Sequence, residues 1–139
     1  MKYVYPAILT PEEEGGYSVN FPDIPNCFTG GATLAEALEN AADVLALMLF
    51  KREERGEPVP FPTNIKELHG HTTHVLADTA IYQRDLLCRA VKKTLTIPRW
   101  LHELAEEAGL PYSYLLQEAL KEKLGVHSYE EFACKRAQN

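Results

Sequence analysis

The stretch Val91-Lys92-Lys93-Thr94-Leu95-Thr96-Ile97 restricts the fold more than any other part of the chain. Lys92, Thr94 and Thr96 share one face of an extended backbone, and Val91, Leu95 and Ile97 share the other, the period of a half-buried strand. Pro98 follows, at a position where a helix start tolerates the missing N–H. Leu101, Leu104, Ala105 and Ala108 then recur at helical spacing until Gly109, and a second helix is expected from about Pro111 to Leu124, with Leu115, Leu116, Ala119 and Leu120 inward and Gly125 as its stop. One strand before two helices has no partner for its ladder, and a segment of about 35 residues encloses too little apolar surface to be stable alone. The expected solution is a homodimer, with the strand paired to its own copy.

Such a two-stranded antiparallel ribbon has the width of the DNA major groove. Lys92, Thr94 and Thr96 would then face phosphates, base acceptors and thymine methyls. The amides at the start of the second helix, near Tyr112 and Ser113, would hold a backbone phosphate in the field of the helix dipole. Trp100, in the first turn of its helix, is read as dimer-interface packing.

The net charge of −6 would argue against nucleic acid if it were spread evenly, and it is not. Residues 1–83 hold five Lys/Arg and twelve Asp/Glu, whereas residues 84–139 hold nine and eight. From Arg84 to Arg99 there are five basic residues against Asp85 alone. The acidic half suits a basic partner and the basic stripe suits phosphates.

The first 83 residues read as an α+β module in β-β-β-α-β order. Lys2–Leu9 is rich in strand formers, Thr10–Gly16 is a turn cluster, and Tyr17–Phe21 alternates with period two, giving a hairpin. Cys27-Phe28-Thr29 supplies a short third strand before Gly30-Gly31. Thr33-x-x-Glu36 has capping-box spacing, and Leu34, Leu38, Ala41, Ala42, Leu45 and Leu49 form one stripe of a helix that ends at Gly56 and Pro58. Three prolines between Pro58 and Pro62 make a stiff connection, and Thr73–Tyr82 is the expected fourth strand. The domains are therefore 1–83, a linker at 84–90, a DNA-binding and dimerisation module at 91–125, and a tail at 126–139. In the tail Ser128-x-x-Glu131 predicts a short helix to about Arg136.

No signal peptide or apolar run of membrane-spanning length is present, so the chain reads as soluble, cytoplasmic and free of membrane. Cys27, Cys88 and Cys134 are isolated and odd in number, which argues against a disulfide framework or zinc knuckle. His69, His71 and His74 lack supporting ligand spacing and read as a polar loop, so neither metal nor cofactor is expected. A nuclease needs several carboxylates converging on two metals. The first two strands carry none, and Asp78 with Glu36 or Asp43 makes a poor cluster, so the chain is read as no enzyme.

Two sets of residues carry a family resemblance. Lys93-Thr94-Leu95-Thr96-Ile97-Pro98, Leu101-x-x-Leu104-Ala105-x-x-Ala108-Gly109 and Ser113-x-x-Leu116-x-Glu118-Ala119-Leu120 resemble the ribbon-helix-helix repressors. Gly16-Tyr17-x-Val19-x-Phe21-Pro22-Asp23-x-Pro25-x-Cys27-x-Thr29-x-Gly31-x-Thr33-x-x-Glu36-Ala37 resembles the HicB antitoxin domain. The resemblance implies a partial ribonuclease-H-like domain without catalysis that blocks HicA, a small basic mRNA-cleaving toxin. It further implies a ribbon-helix-helix that represses the shared operon by binding operator DNA. Pairing of dimers into tetramers is left open. The alternative keeps the repressor but makes it an orphan regulator whose N-terminal domain binds another protein or a ligand.

Overall fold

The computed structural model describes residues 1–138. They form two compact units, Met1–Arg89 and a second that begins at Ala90. In the first, β1 (Lys2–Pro11) and β2 (Tyr17–Asn20) make the expected hairpin, paired antiparallel from Ile8↔Asn20 to Pro11↔Tyr17. β3 is Phe28–Gly31 and pairs with β2 from Tyr17↔Gly31 to Asn20↔Phe28. The glycine pair thus belongs to the strand instead of ending it. A Cβ on Gly31 would overlap the backbone nitrogen of Ala37, so only glycine lets the helix that follows lie this close to the sheet.

That helix, α1, runs from Leu34 to Arg55. Thr33 Oγ1 accepts the Glu36 N–H at 3.2 Å, while the Glu36 carboxylate reaches back to the Ala32 N–H at 3.0 Å, a reciprocal cap displaced by one residue from the usual box. Gly56, in the left-handed region at φ 66°, closes the helix through its N–H to the carbonyls of Arg52 and Glu53. Ala37, Ala41, Leu45, Ala46 and Leu49 are the buried stripe, packed on Tyr5, Ala7, Val19, Val75 and Ala77 of the sheet and on Phe21, Ile24 and Cys27 of the β2–β3 turn. Leu34, expected inward, is exposed, because it precedes the point where Gly31 brings sheet and helix together.

The proline-rich connection is fixed at three points, the first where Arg52 Nη1 donates to the Pro58 carbonyl at 3.3 Å. The Tyr5 hydroxyl donates to the Pro60 carbonyl, and the Asp23 carboxylate accepts both the N–H and the hydroxyl of Thr63. A single 3-10 turn at Ile65–Glu67 leads into β4, His71–Asp78, which pairs antiparallel with β1 from Lys2↔Asp78 to Leu9↔His71. The sheet order is β3-β2-β1-β4.

Two expectations change at the end of β4. The strand stops at Asp78, and Ala80–Cys88 is a helix, α2, which takes in Ile81 and Tyr82 of the expected strand and residues 84–88 of the expected linker. Three contacts cause this. Asp78 Oδ1 accepts the Ala80 N–H at 3.0 Å and starts the helix, as a short acidic side chain can. The Tyr82 ring stacks on Phe50 with centroids 6.1 Å apart. Its hydroxyl donates to Asp43 Oδ1 at 2.7 Å.

A buried polar knot ties the ends of unit 1. Thr79 has no exposed surface. Its N–H donates to the Met1 carbonyl at 3.0 Å, its Oγ1 accepts from the Met1 ammonium at 3.0 Å, and its single hydroxyl proton serves Glu53 Oε1 and the Met1 carbonyl, both 3.2 Å away. Tyr3 donates to the same Glu53 oxygen at 2.6 Å. Thr79→Val keeps the shape but leaves these partners short of a hydrogen bond, so it should destabilise unit 1 by about 1–3 kcal/mol in chemical denaturation. The phenols add a pH dependence. The bond to Glu53, then burial, pushes Tyr3 up to about 12 from its ordinary 10.0, and burial, then the bond to Asp43, does the same for Tyr82. A raised folded-state value stabilises fully below the unfolded value and is lost above it. The stability of unit 1 should therefore fall between pH 10 and about 12, less steeply in Tyr82→Phe, as read by denaturant midpoints along a pH series.

Candidate nucleic-acid interface

Unit 2 consists of a lead without assigned secondary structure, residues 90–98, followed by α3 (Arg99–Glu107), α4 (Tyr112–Leu124) and α5 (Tyr129–Ala137). The lead pairs with no strand among the described residues, and Lys92, Thr94 and Thr96 are exposed along it. Their apolar neighbours are exposed too: Val91 at 88%, with Leu95 and Ile97 about half so. The same holds for the helices, where Trp100 is 63% and Leu124 70% exposed, and Leu104, Leu115 and Leu120 also lie open. Not one described residue from 90 onward is buried. Each large apolar side chain left in water forgoes about 1.5–3 kcal/mol of burial, and one chain of this unit holds nothing to offset that.

α5 follows the spacing seen in the sequence. Ser128 Oγ accepts the Glu131 N–H at 3.2 Å, and the Glu131 carboxylate takes the His127 N–H at 2.7 Å. The same reciprocal geometry caps α1. α3 and α4, by contrast, begin at Pro98 and Pro111 with no side-chain cap. At α4 the first bond within the helix region runs from Leu115 N–H to the Pro111 carbonyl at 3.0 Å. The amides of Tyr112 and Ser113 come before that bond and are orphan donors of the first turn.

The side chains of these two residues are partly committed. Ser113 Oγ accepts from Gln117 Nε2 at 3.3 Å. The Tyr112 ring turns back on α3, stacked on His102 at 6.2 Å, with its hydroxyl 3.0 Å from Glu106 Oε1 and 3.2 Å from His102 Nδ1. Tyr112 therefore offers a backbone N–H to a ligand, while its phenol holds the α3–α4 turn. Sequence reasoning missed His102 and Glu106. Their i,i+4 spacing on one face of α3 was the available signal. The chain does not gather the five site residues into one cluster: three lie along the lead and two at the start of α4.

In unit 1 the carboxylates weighed for nuclease chemistry have other work. Glu36 caps α1, Asp43 accepts from Tyr82, and Asp78 starts α2. Among the described residues no group of three or more His, Cys, Asp or Glu is arranged to hold a metal, and no helix is long and apolar enough to cross a membrane.

A family model for the HicB-like antitoxin of bacterial toxin-antitoxin systems matches residues 5–108. The chain belongs to the HicB-like antitoxin family. The antitoxin HicB of Escherichia coli K12 is 36% identical over 107 residues, covering 77% of this chain and 73% of that protein. Antitoxin HicB 1 of Photorhabdus laumondii is 50% identical over a shorter stretch, 42% of this chain and 37% of its own. Among solved structures, a chain of a toxin-antitoxin complex from Streptococcus pneumoniae superposes with a TM-score of 0.60 at 26% identity, over 88% of this chain and 99% of that one. The α+β architecture of this HicB-like antitoxin is thus that of its relatives, and the family match runs from β1 through α3.

Because unit 2 of the antitoxin buries none of its described side chains, it should lose structure on dilution long before unit 1. Far-ultraviolet circular dichroism over a dilution series should show helical signal falling in a concentration-dependent step. Near-ultraviolet signal from the unit 1 tyrosines, set by Tyr5 and Tyr82, should stay constant.

Proposed function

We propose that this antitoxin blocks a HicA-like toxin through unit 1 and represses its own operon by binding operator DNA through a dimer of unit 2. The observation that carries the DNA half is the exposure of the lead. Val91, Leu95 and Ile97 lie open along the same stretch that displays Lys92, Thr94 and Thr96. Pairing with a second copy removes the apolar face from water and supplies the missing ladder, and leaves lysine and threonine outward as a ribbon for the major groove. Orphan amides at Tyr112 and Ser113 suit a phosphate on either side of such a ribbon.

The toxin half rests on family membership and on charge. Unit 1 carries most of the acidic excess of the chain, and the carboxylates of Glu36, Asp43 and Asp78 are engaged in structure. The role proposed for it is binding without chemistry, in a module that spans residues 1–83 and, with α2, extends to Cys88.

Gel-shift titrations on the DNA upstream of its own gene test this reading. Thr94→Ala and Thr96→Ala should relax sequence preference, with about 1–3 kcal/mol less discrimination between operator and mismatched DNA at each affected position. Lys92→Ala should weaken binding to all sequences alike and, because the proposed dimer presents two copies of the lysine, lower the slope of log K against log salt by about two. Selectivity and slope unchanged in all three variants would sink the assignment. Co-purification with the product of the adjacent gene separates the toxin partner from an orphan regulator.

A further inference from the structure

Arg99 opens α3 at the end where a cation is least favoured. The first turn of a helix carries the positive end of its dipole, so acidic side chains are stabilised there and basic ones in the last turn. Three other helices keep to this: α1 has Glu36 in its first turn with Arg52 and Arg55 in its last, α5 has Glu130 and Glu131 against Lys135 and Arg136, and α4 ends on Lys121 and Lys123. α3 is charged the other way round. Arg99 stands at its start and Glu106 and Glu107 at its end, with no acidic residue in the first turn, no basic residue in the last and no side-chain cap at Pro98. The Arg99 side chain is exposed, and among the described residues it enters no ion pair, hydrogen bond or ring contact, not even with Glu103 one turn further on. No Asp or Glu lies between Asp85 and Glu103, where Arg89, Lys92, Lys93 and Arg99 all fall.

We propose that Arg99 binds a backbone phosphate of the operator, with one such contact at each end of the ribbon. This rests on the ribbon reading of residues 91–97 given above. Pro98 is itself extended, with φ −57° and ψ 145°, so Arg99 follows Thr96 by three residues of extended chain, roughly 10 Å at about 3.3 Å per residue. The major groove is about 8.5 Å deep, so this is enough chain to climb from the base edges to the sugar-phosphate backbone. Antiparallel pairing puts the two copies of Arg99 at opposite ends of the ribbon. A guanidinium meets a phosphate through two parallel N–H donors and stays charged at any working pH. The bound anion offsets the positive charge that the start of α3 disfavours, so a cation that weakens the free helix strengthens the complex. Such a contact reads no bases, which sets it apart from Thr94 and Thr96.

Fluorescence-anisotropy titrations of the full-length protein on the DNA upstream of its own gene, over a salt series, test the contact against a structural role. Arg99→Ala should lower the slope of log K against log salt by about two, one for each copy, so that the loss of affinity is small near 1 M salt and on the order of tenfold per contact at 0.1 M. The preference for operator over mismatched DNA should not change. Because the substitution takes a cation from the positive end of α3, the helical signal of the free protein should persist to equal or greater dilution than in the wild type. A residue with a merely structural role would lose stability and affinity together. Arg99→Lys should keep the slope, and Arg99→Gln serves as a second neutral variant should Arg99→Ala fail to fold. A slope unchanged in Arg99→Ala while Lys92→Ala lowers it overturns the contact and leaves the ribbon intact. Dissociation of Arg99→Ala at higher concentration than the wild type, with the slope unchanged where the protein is dimeric, assigns the guanidinium to a carboxylate of the second copy and overturns the contact as well. Wild-type protein that does not bind the DNA overturns the ribbon reading, and the contact with it.

Discussion

An apolar side chain is stabilised only when something removes it from water, and the C-terminal unit has nothing of its own to do so. Trp100, Leu104, Leu115, Leu120 and Leu124 line its helices and Val91, Leu95 and Ile97 its lead, all exposed. A segment of this size could be rescued by disulfides or a metal. Cys134, the cysteine of this unit, is free and exposed. Association with a second copy, as proposed above, would couple folding to the exposed face of the lead. Whatever covers the apolar row also decides where Lys92, Thr94 and Thr96 point.

Unit 1 solves the opposite problem. Its four strands and one long helix bury a contiguous core, and the helix can approach the sheet only because Gly31 has no side chain. Its polar contacts cluster at the ends of elements. Thr33 and Glu36 start α1, Gly56 stops it, Asp78 starts α2, and Thr79 binds the N-terminus to Glu53.

Much of this was legible before any coordinates. The β1–β2 hairpin follows from alternation bounded by a glycine pair, and α1 from a capping box followed by a leucine-alanine stripe. α5 follows from the same box repeated at Ser128 and Glu131. The end of β4 was not legible, because Val75, Leu76, Ala77 and Ile81 read as one apolar run in which a helix start at Ala80 leaves no periodic mark. What breaks the run is tertiary: the Met1 backbone captures Thr79, and Phe50 with Asp43 captures Tyr82. Of the residues proposed for the interface, Lys92, Thr94 and Thr96 are picked out by period alone. The hold of His102 and Glu106 on Tyr112 is not, since it depends on how tightly the chain turns between Gly109 and Pro111.

The contrast among helix starts bears on which surfaces meet a ligand. α1 and α5 are capped by hydroxyls with a reciprocal glutamate, and α2, whose cap residue Thr79 makes no such bond, has its first amide taken by Asp78. α3 and α4 begin on prolines that supply no acceptor. A side-chain cap is worth about 0.5–2 kcal/mol, and a marginal unit without a core of its own has most to gain from one. Where a local rule is broken without compensation inside the molecule, the compensation is expected from a partner. At α4 a phosphate would supply it, since the orphan amides of Tyr112 and Ser113 carry the positive end of the helix dipole. A capping serine in place of Pro111 would accept the N–H of Ser113 or Tyr114 from within, stabilising the free chain while competing for part of the same first turn, so the missing cap and the proposed clamp share one physical cause.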